Sequence, residues 1–162
     1  EHLKELKVID LVGNQLKSLS AQIFKNNRKL VIIWLSENQI EEIPSNFFDG
    51  LTEVEVLWLK SNEISNLPTN LFKDLTKLKY IDLNMNNLKT LSKEIFQFNK
   101  ELSFITLDEN QLEKIDAEMF DGFENLGIVQ LRNNTCINTK FESYNPIFNL
   151  LKLKEDLKAN CN

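Results

Sequence analysis

The chain has 162 residues, of which 42% are hydrophobic and 27% are charged, and its formal net charge at pH 7 is -5. This length and composition are typical of a soluble domain that buries a core, and no apolar run approaches the ~18 to 20 residues that cross a bilayer. Lys and Arg are scattered among acidic residues, which argues against nucleic acids and anionic membranes as partners. A basic or neutral partner is favoured.

Side chains that carry catalytic or metal chemistry are scarce. The chain has one histidine, His2, and two cysteines, Cys136 and Cys161. These are too few for the usual zinc site, and they leave no Ser-His or Cys-His pair in the folded body. His2 lies at the start of the chain, where we expect no ligand role for it. We therefore predict no enzymatic activity, no metal site and no cofactor.

The most informative feature is a repeat of 24 residues. Asparagine and leucine are abundant, with 21 and 26 copies. Six of the asparagines recur at one spacing without an insertion or deletion: Asn14, Asn38, Asn62, Asn86, Asn110 and Asn134. Aliphatic columns and a phenylalanine column keep the same phase, which gives the pattern LxxLxLxxNxLxxLxxxxFxxLxx. The phenylalanines are Phe24, Phe48, Phe72, Phe96 and Phe120. A register of this kind indicates stacked repeats.

Each column of the repeat has a physical reason. The xLxLx segment has period 2, which predicts a short strand with its leucines inward, and successive strands then pair in parallel. Asparagine has two donors and an acceptor, so that it can bond from inside to the backbone groups of the following bend. Stacked repeats would turn the asparagines into a ladder and the phenylalanines into an aromatic spine. No repeat closes its core alone, so stability comes from stacking.

This pattern resembles the leucine-rich repeat family, in its 24-residue class typical of extracellular proteins, from Leu3 to about Thr135. The resemblance implies an α/β fold: a right-handed solenoid with short parallel strands on its concave face and irregular or short helical segments on its convex face. Phrases such as Phe24-Lys25-Asn26-Asn27 and residues 133–138 are similar to secreted insect leucine-rich repeat proteins, including those of innate immunity. We accordingly predict an extracellular location, secreted or in an ectodomain.

We divide the chain into about six repeats over residues 1–135 and a C-terminal cap over residues 136–162. Asn145 and Pro146 are suited to cap and begin a helix. The apolar face of that helix is predicted to comprise Ile147, Phe148, Leu150, Leu151, Leu153 and Leu157. Cys136 and Cys161 bracket it, and because extracellular members commonly have cysteine-bearing caps, the resemblance implies a disulfide. The alternative is two unpaired thiols in a cytosolic protein.

The beginning of the chain shows no N-terminal cap. Leu3 is in phase with Leu51, Leu75 and Phe123, so the sequence opens inside the tail of a preceding repeat. We expect an N-terminally truncated fragment. Its open end would expose the apolar residues Leu3, Leu6, Ile9, Leu11 and Phe24.

The outward strand positions carry the candidate binding residues. Trp34 and Trp58 share a column in adjacent repeats and should stack side by side. An apolar stripe beside them comprises Ile32, Val56, Tyr80 and Phe104, and a polar border comprises Glu37, Lys60, Asp82, Asn84, Asp108 and Arg132. Large anchors inside a polar rim are typical of protein interfaces. The alternatives are that the aliphatic residues only pack against one another, and that Asp82 and Asp108 are solvated polar residues rather than calcium ligands.

We predict a non-enzymatic module that recognises a protein through its concave sheet, in innate immunity or cell-surface signalling by the resemblance. Two alternatives remain: a scaffold that forms homo- or hetero-dimers through the solenoid, and a module that binds a glycan or lipid on the concave aromatics. Asn133-Asn134-Thr135 matches the N-glycosylation sequon, and a glycan on Asn133 would lie at the C-terminal edge of the concave face.

Overall fold

Each repeat contributes one short strand to a parallel sheet, and the predicted solenoid is confirmed. The computed structural model describes residues 3–21, 23–142 and 146–161, so that His2 and the predicted helix cap Asn145 lie outside the described residues. The strands are β1 (Val8–Asp10), β2 (Ile32–Trp34), β3 (Val56–Trp58), β4 (Tyr80–Asp82), β5 (Thr90–Leu91), β6 (Phe104–Thr106), β7 (Lys114–Ile115), β8 (Ile128–Gln130) and β9 (Lys140–Glu142). One helix follows, α1 (Pro146–Asn160). The main sheet has the order β1-β2-β3-β4-β6-β8-β9.

The register of the parallel strands is the register of the sequence repeat. Ile33 pairs with Leu57 and Leu57 with Ile81, so that partners are 24 positions apart. These central residues point into the core and are buried, whereas the strand residues on either side of them face outward. One sheet face is therefore core, and the other is free to contact a ligand.

The asparagine ladder is present. Asn38 donates through Nδ2 to the carbonyls of Leu11, Leu35 and Ser36, at 2.9 to 3.1 Å. Its Oδ1 accepts a bond from the backbone N–H of Leu16 at 3.1 Å. The pattern recurs at Asn62, Asn86, Asn110 and Asn134. Each asparagine thus joins the bend of its own repeat to the repeat before it.

The phenylalanine spine is buried, with one addition that the sequence pattern did not predict. Phe48, Phe72 and Phe96 follow one another with ring centroids 6.0 and 5.7 Å apart. The ring of Phe47 lies between Phe24 and Phe48, the first two phenylalanines of the spine, and it packs edge-on against both. The expectation that Phe24 would be exposed is therefore wrong, since only 3% of it is accessible. In the same repeat Leu3 is exposed, and Leu6, Ile9 and Leu11 are half-buried.

The convex segments begin with one turn type. In each, an N–H bonds to the carbonyl three residues earlier, and the accepting residues share a column: Ser20, Pro44, Pro68, Ser92 and Asp116. Proline and small polar residues favour this turn start. The segment after Asp116 is a 3-10 helix, Ala117–Phe120, which the Asp116 side chain caps by accepting from the N–H of Glu118. A second, two-residue parallel sheet pairs β5 with β7, a feature not expected from the sequence.

The C-terminal segment closes the core of the last repeat. Strand β9, which the sequence analysis did not predict, pairs antiparallel with β8 and covers that edge of the sheet. From α1, Leu153 and Leu157 are buried and Leu150 packs against the core, whereas Leu151 is 59% exposed. Placing Leu151 on the apolar face was wrong, because it lies about 200° around the helix from Leu153. The side chains of Ile147 and Phe148 lie outside the described residues.

A disulfide joins Cys136 to Cys161, with their Cα atoms 5.1 Å apart. Cys136 lies in the column of Leu112, to whose carbonyl its N–H bonds at 2.9 Å, and the carbonyl of Cys161 accepts a bond from Ile115 at 3.2 Å. The bridge therefore attaches the end of α1 to the last complete repeat. In the part of the chain that the structure describes, no helix is both long and apolar enough to cross a membrane.

Candidate functional site

The two tryptophans lie side by side on the outward face of the sheet. The strand register aligns Trp34 with Trp58, and their rings stack with centroids 5.1 Å apart and planes 23° apart. Trp58 is 42% exposed, whereas Trp34 is half-buried. The Nε1 of Trp34 is buried without a hydrogen-bond partner in the described part of the chain. The pair thus presents mainly Trp58 to solvent.

Next to Trp58 the concave face has a groove of about 420 Å³. Its lining residues come from three adjacent strands: Val56, Trp58, Tyr80, Ile81, Asp82 and Phe104. The register places Val56, Tyr80 and Phe104 in one row across β3, β4 and β6, and Trp58 beside Asp82 in the next row. Ile32 continues the first row on β2. We call this lined depression the concave groove.

The aromatic walls of the concave groove are open to solvent. Tyr80 is 45% exposed, and its ring lies 6.3 Å from that of Phe104 at an angle of 43°. Phe104 is half-buried. A soluble protein exposes few contiguous aromatic surfaces, and such surfaces mark contact sites. The structure therefore brings together most of the aromatic residues that the sequence analysis selected.

Asp82 forms the polar end of the concave groove, and it is held in place by its neighbours. Its Oδ1 accepts bonds from the backbone N–H of Asn84 at 3.0 Å and from the hydroxyl of Thr106 at 2.8 Å. Thr106 is buried, and the sequence analysis did not single it out. Its only signal was the column that it shares with Asp82, one repeat away.

Asp108 and Arg132 form an ion pair beyond the groove. The Oδ2 of Asp108 accepts from Nε of Arg132 at 2.9 Å and from Nη2 at 2.6 Å, and Oδ1 accepts the Arg132 backbone N–H at 2.7 Å. The backbone N–H of Asp108 donates to Oδ1 of Asn84 at 2.7 Å. Asp108 is buried, whereas Arg132 is exposed. Of these two, only the arginine faces solvent at the rim.

The remaining rim charges differ in their pairing. Lys60 and Glu37 are exposed, and they lie two and three residues after the ends of their strands. Lys79, which precedes Tyr80, contacts Glu55 at 3.0 Å. The hydrogen bond with Glu55 raises the pKa of Lys79, partial burial opposes that shift, and the Glu55 charge adds to it. The Lys79 charge beside the groove is thus matched by a carboxylate.

Asn133 is exposed at the end of the last parallel strand, and its backbone N–H donates to Oδ1 of Asn138 at 3.0 Å. It lies in the bend that follows β8, and its glycosylation stays a prediction. Over residues 3–21, 23–142 and 146–161, no group of three or more His, Cys, Asp or Glu side chains is arranged to hold a metal ion.

The repeat geometry agrees with a family comparison. The leucine-rich repeat profile matches residues 4–64 and 52–112, which together span more than half of the chain. The chain belongs to the leucine-rich repeat family. Members of this family are typically non-enzymatic modules for protein interaction. A search of curated proteins finds no match.

Solved structures of other leucine-rich repeat proteins are similar over most of the chain. The leucine-rich repeat domain of APL1B is 26% identical, with a TM-score of 0.73, over 82% of this chain and 39% of that one. The APL1 leucine-rich repeat domain is 26% identical, with a TM-score of 0.78, over 82% of this chain and 35% of that one. A chain of the LRIM1/APL1C complex shares the fold at 22% identity and a TM-score of 0.73, over 81% and 24%. This chain therefore spans less than two fifths of each.

Proposed function

We propose that this leucine-rich repeat chain recognises a protein partner through its concave groove. The observation that carries the proposal is the exposure of Trp58 and Tyr80, each more than two fifths accessible, on the one sheet face that the core does not use. Rigid aromatic side chains are the commonest anchors of protein interfaces. Nothing in the packing of a solenoid requires large aromatic rings at these outward positions, so binding supplies the reason for them.

We assign roles to the remaining groove and rim residues by their positions. Trp34 supports Trp58 through the stack, Phe104 extends the aromatic wall, and Ile32 and Val56 form the apolar base. The polar rim comprises Lys60, Asp82, Asp108 and Arg132, in which Asp108 acts by orienting Arg132. A centre that excludes water inside a polar rim is the usual arrangement of an interface.

We propose that the protein is extracellular, with innate immunity or cell-surface signalling as its setting. The Cys136–Cys161 disulfide supports this, since disulfides persist in oxidising compartments. The resemblance to secreted leucine-rich repeat proteins supports it as well. In this view residues 1–135 recognise the partner, residues 136–162 cap the solenoid, and Asn133 carries a glycan at the edge of the concave face.

The test uses the chain as bait in extracellular fluid, followed by direct binding measurements with the purified captured protein. Trp58→Asp places a charge in the groove and should weaken that binding by at least about tenfold. Phe98→Asp is the matched control, because Phe98 is also exposed but lies on a convex segment, and it should bind like the wild type. Equal binding by the wild type and Trp58→Asp would overturn the proposal.

Two measurements separate the alternatives that use the same aromatic residues. A dimer detected by light scattering, and abolished by Trp58→Asp, would favour an assembly scaffold. A change in tryptophan fluorescence on titration with glycans or lipid vesicles would favour a module that binds a glycan or a lipid. A monomer with a flat response to both leaves the protein partner as the ligand of the groove.

A further inference from the structure

We propose that the partner inserts a cationic side chain, an arginine or a lysine, into the concave groove. The inference rests on the proposed function and deepens it by stating the chemistry of the partner at its anchor point. It comes from the juxtaposition of three aromatic rings, Trp58, Tyr80 and Phe104, with the single carboxylate of Asp82. An aromatic box with a carboxylate at one end attracts a cation by two independent effects.

The first effect is the attraction between a cation and the faces of aromatic rings. The π face of an aromatic ring carries negative potential, which is strongest for tryptophan, and arginine is the cation that most often uses it. Trp58 lies on one strand of the groove and Tyr80 and Phe104 on the next two, so that a side chain entering between them meets rings from three strands. Because Trp58 and Tyr80 are exposed, they are accessible without rearrangement.

The second effect is the charge of Asp82. Both internal donors, Asn84 and Thr106, bond to its Oδ1. Among the residues that the structure describes, none donates to Oδ2, which leaves that oxygen to accept a bond from a ligand. The two internal bonds hold the carboxylate in place, so that less side-chain entropy is lost when a cation binds.

The charges around the groove are compatible with a cationic ligand. Lys79 is paired with Glu55, and Arg132 is paired with Asp108, so that neither presents an unmatched positive charge. Lys60 lies two residues after Trp58 and is the rim cation that opposes an incoming one. The net charge of -5 adds a long-range attraction for a basic partner.

The groove also has a suitable size. Its volume of about 420 Å³ lies within the range of pockets that hold small organic groups, and it is open to one side. It therefore has room for one long side chain. A protein segment fits this shape, because the rest of the partner can lie along the concave sheet.

The experiment uses three acetylated and amidated pentapeptides that differ only in the central residue: Gly-Gly-Arg-Gly-Gly, the lysine analogue, and the citrulline analogue. Citrulline has nearly the shape of arginine without its charge. Binding is followed by tryptophan fluorescence and by NMR shifts of the Trp58 indole N–H. We expect millimolar affinity for the arginine and lysine peptides, at least about fivefold weaker binding of citrulline, and weaker binding at higher salt.

Two variants of opposite sign sharpen the test. Asp82→Asn keeps an oxygen at Oδ1 for Asn84 and Thr106 while it removes the charge, and it should weaken the arginine peptide by about fivefold or more without lowering the melting temperature. Lys60→Gln removes the opposing rim charge, and it should strengthen binding by about twofold. A control for nonspecific attraction is Glu109→Gln, which removes an exposed negative charge outside the groove and should leave binding unchanged.

Equal binding of the arginine and citrulline peptides would overturn the inference, as would the absence of any spectral change at ~20 mM peptide. The outcome is separable from that of the proposed function. If Trp58→Asp abolishes binding of the purified partner and Asp82→Asn leaves it unchanged, the groove binds a protein but not through a cationic side chain. If neither variant affects the partner, the proposed function fails as well.

Discussion

At the scale of single residues, the repeat imposes a backbone conformation that its side chains do not favour. The residue before each ladder asparagine has a left-handed backbone, with φ between 54° and 68°. These residues are Gly13, Glu37, Ser61, Met85, Glu109 and Asn133. The carbonyls that the ladder binds lie in this bend, so the conformation is required in every repeat. For a residue other than glycine, this left-handed conformation costs about 1 kcal/mol or more of folding free energy. Among the six repeats, only the first has a glycine at this position.

Replacing Glu109 with glycine should therefore stabilise the protein. Glu109 is exposed and has a φ of 55°. We expect Glu109→Gly to raise the free energy of unfolding by about 0.5 to 1 kcal/mol, after allowing for the greater freedom of glycine in the unfolded chain. Chemical denaturation measures it. Glu109→Ala is the control, because it removes the same side chain but keeps the strained Cβ; equal stability of the two variants would contradict the backbone explanation.

At the scale of elements, the ladder asparagines stabilise the solenoid by bonding to backbone groups of two adjacent repeats. Asn62 is buried, yet both ends of its amide are bonded, to the carbonyls of Leu35 and Leu59 and to the N–H of Ile40, each at 3.0 Å. A buried polar group left without its partner costs about 1 to 3 kcal/mol. Loss of the amide would orphan several backbone groups at once, in two adjacent repeats.

We expect Asn62→Ala to lower the free energy of unfolding by about 2 to 4 kcal/mol. The matched control is Asn14→Ala, since Asn14 has the same position in the first repeat but is exposed, and water can satisfy the carbonyls of Leu11 and Val12. That variant should lose about 1 kcal/mol or less. Similar losses in the two variants would show that burial of the ladder is not what makes it stabilising.

The phenylalanine spine supplies the opposite side of each repeat. Phe72 is fully buried between Phe48 and Phe96. Phe72→Ala should cost about 3 to 5 kcal/mol, because it removes transfer free energy and leaves a cavity that neighbouring repeats cannot fill. Phe98→Ala tests an exposed phenylalanine and should cost much less. A loss below about 1 kcal/mol at Phe72, measured by the same denaturation, would argue against a continuous spine.

At the scale of the whole molecule, the solenoid is stabilised by contacts between adjacent repeats and by a disulfide near its C-terminal end. Surface ion pairs such as Lys29 with Glu5 and Lys77 with Glu53 join positions 24 apart, but exposed pairs of this kind contribute little. The Cys136–Cys161 disulfide does more, because in the loop-entropy model it constrains the unfolded chain by about 3 to 4 kcal/mol.

Reduction of the disulfide should lower the melting temperature and loosen mainly the region after Asn134. Hydrogen exchange should show faster exchange there, with the amides of the central repeats unchanged, since each repeat contacts only its neighbours. The Cys136→Ala/Cys161→Ala double variant should behave like the reduced protein. An unchanged melt in reductant, with thiol content verified, would contradict the stabilising role of the bridge.

The 24-residue period of the sequence determined the solenoid, the strand register, the ladder and the spine, because residues one period apart must become neighbours in a stacked repeat. The outward position of Trp34 and Trp58 follows from the same period. The sequence did not predict β9, the second sheet, the inserted ring of Phe47 or the exposure of Leu151. Each of these features depends on the residues that pack against it from another part of the chain. A periodic pattern specifies only which residues of successive repeats become neighbours.

Only the tertiary structure decided which polar side chains of the concave face are already bonded. The sequence analysis placed both Asp82 and Asp108 in the polar border, yet Asp108 is buried and paired with Arg132, whereas Asp82 lines the concave groove with one oxygen that no described residue donates to. The difference lies in the residue one repeat later in the same column. For Asp108 it is Arg132, which bonds to Oδ2, whereas for Asp82 it is Thr106, whose hydroxyl bonds to Oδ1. The 24-residue period therefore determined which residues lie on the concave face. Packing between repeats decided which charged side chains of that face remain able to bind a partner.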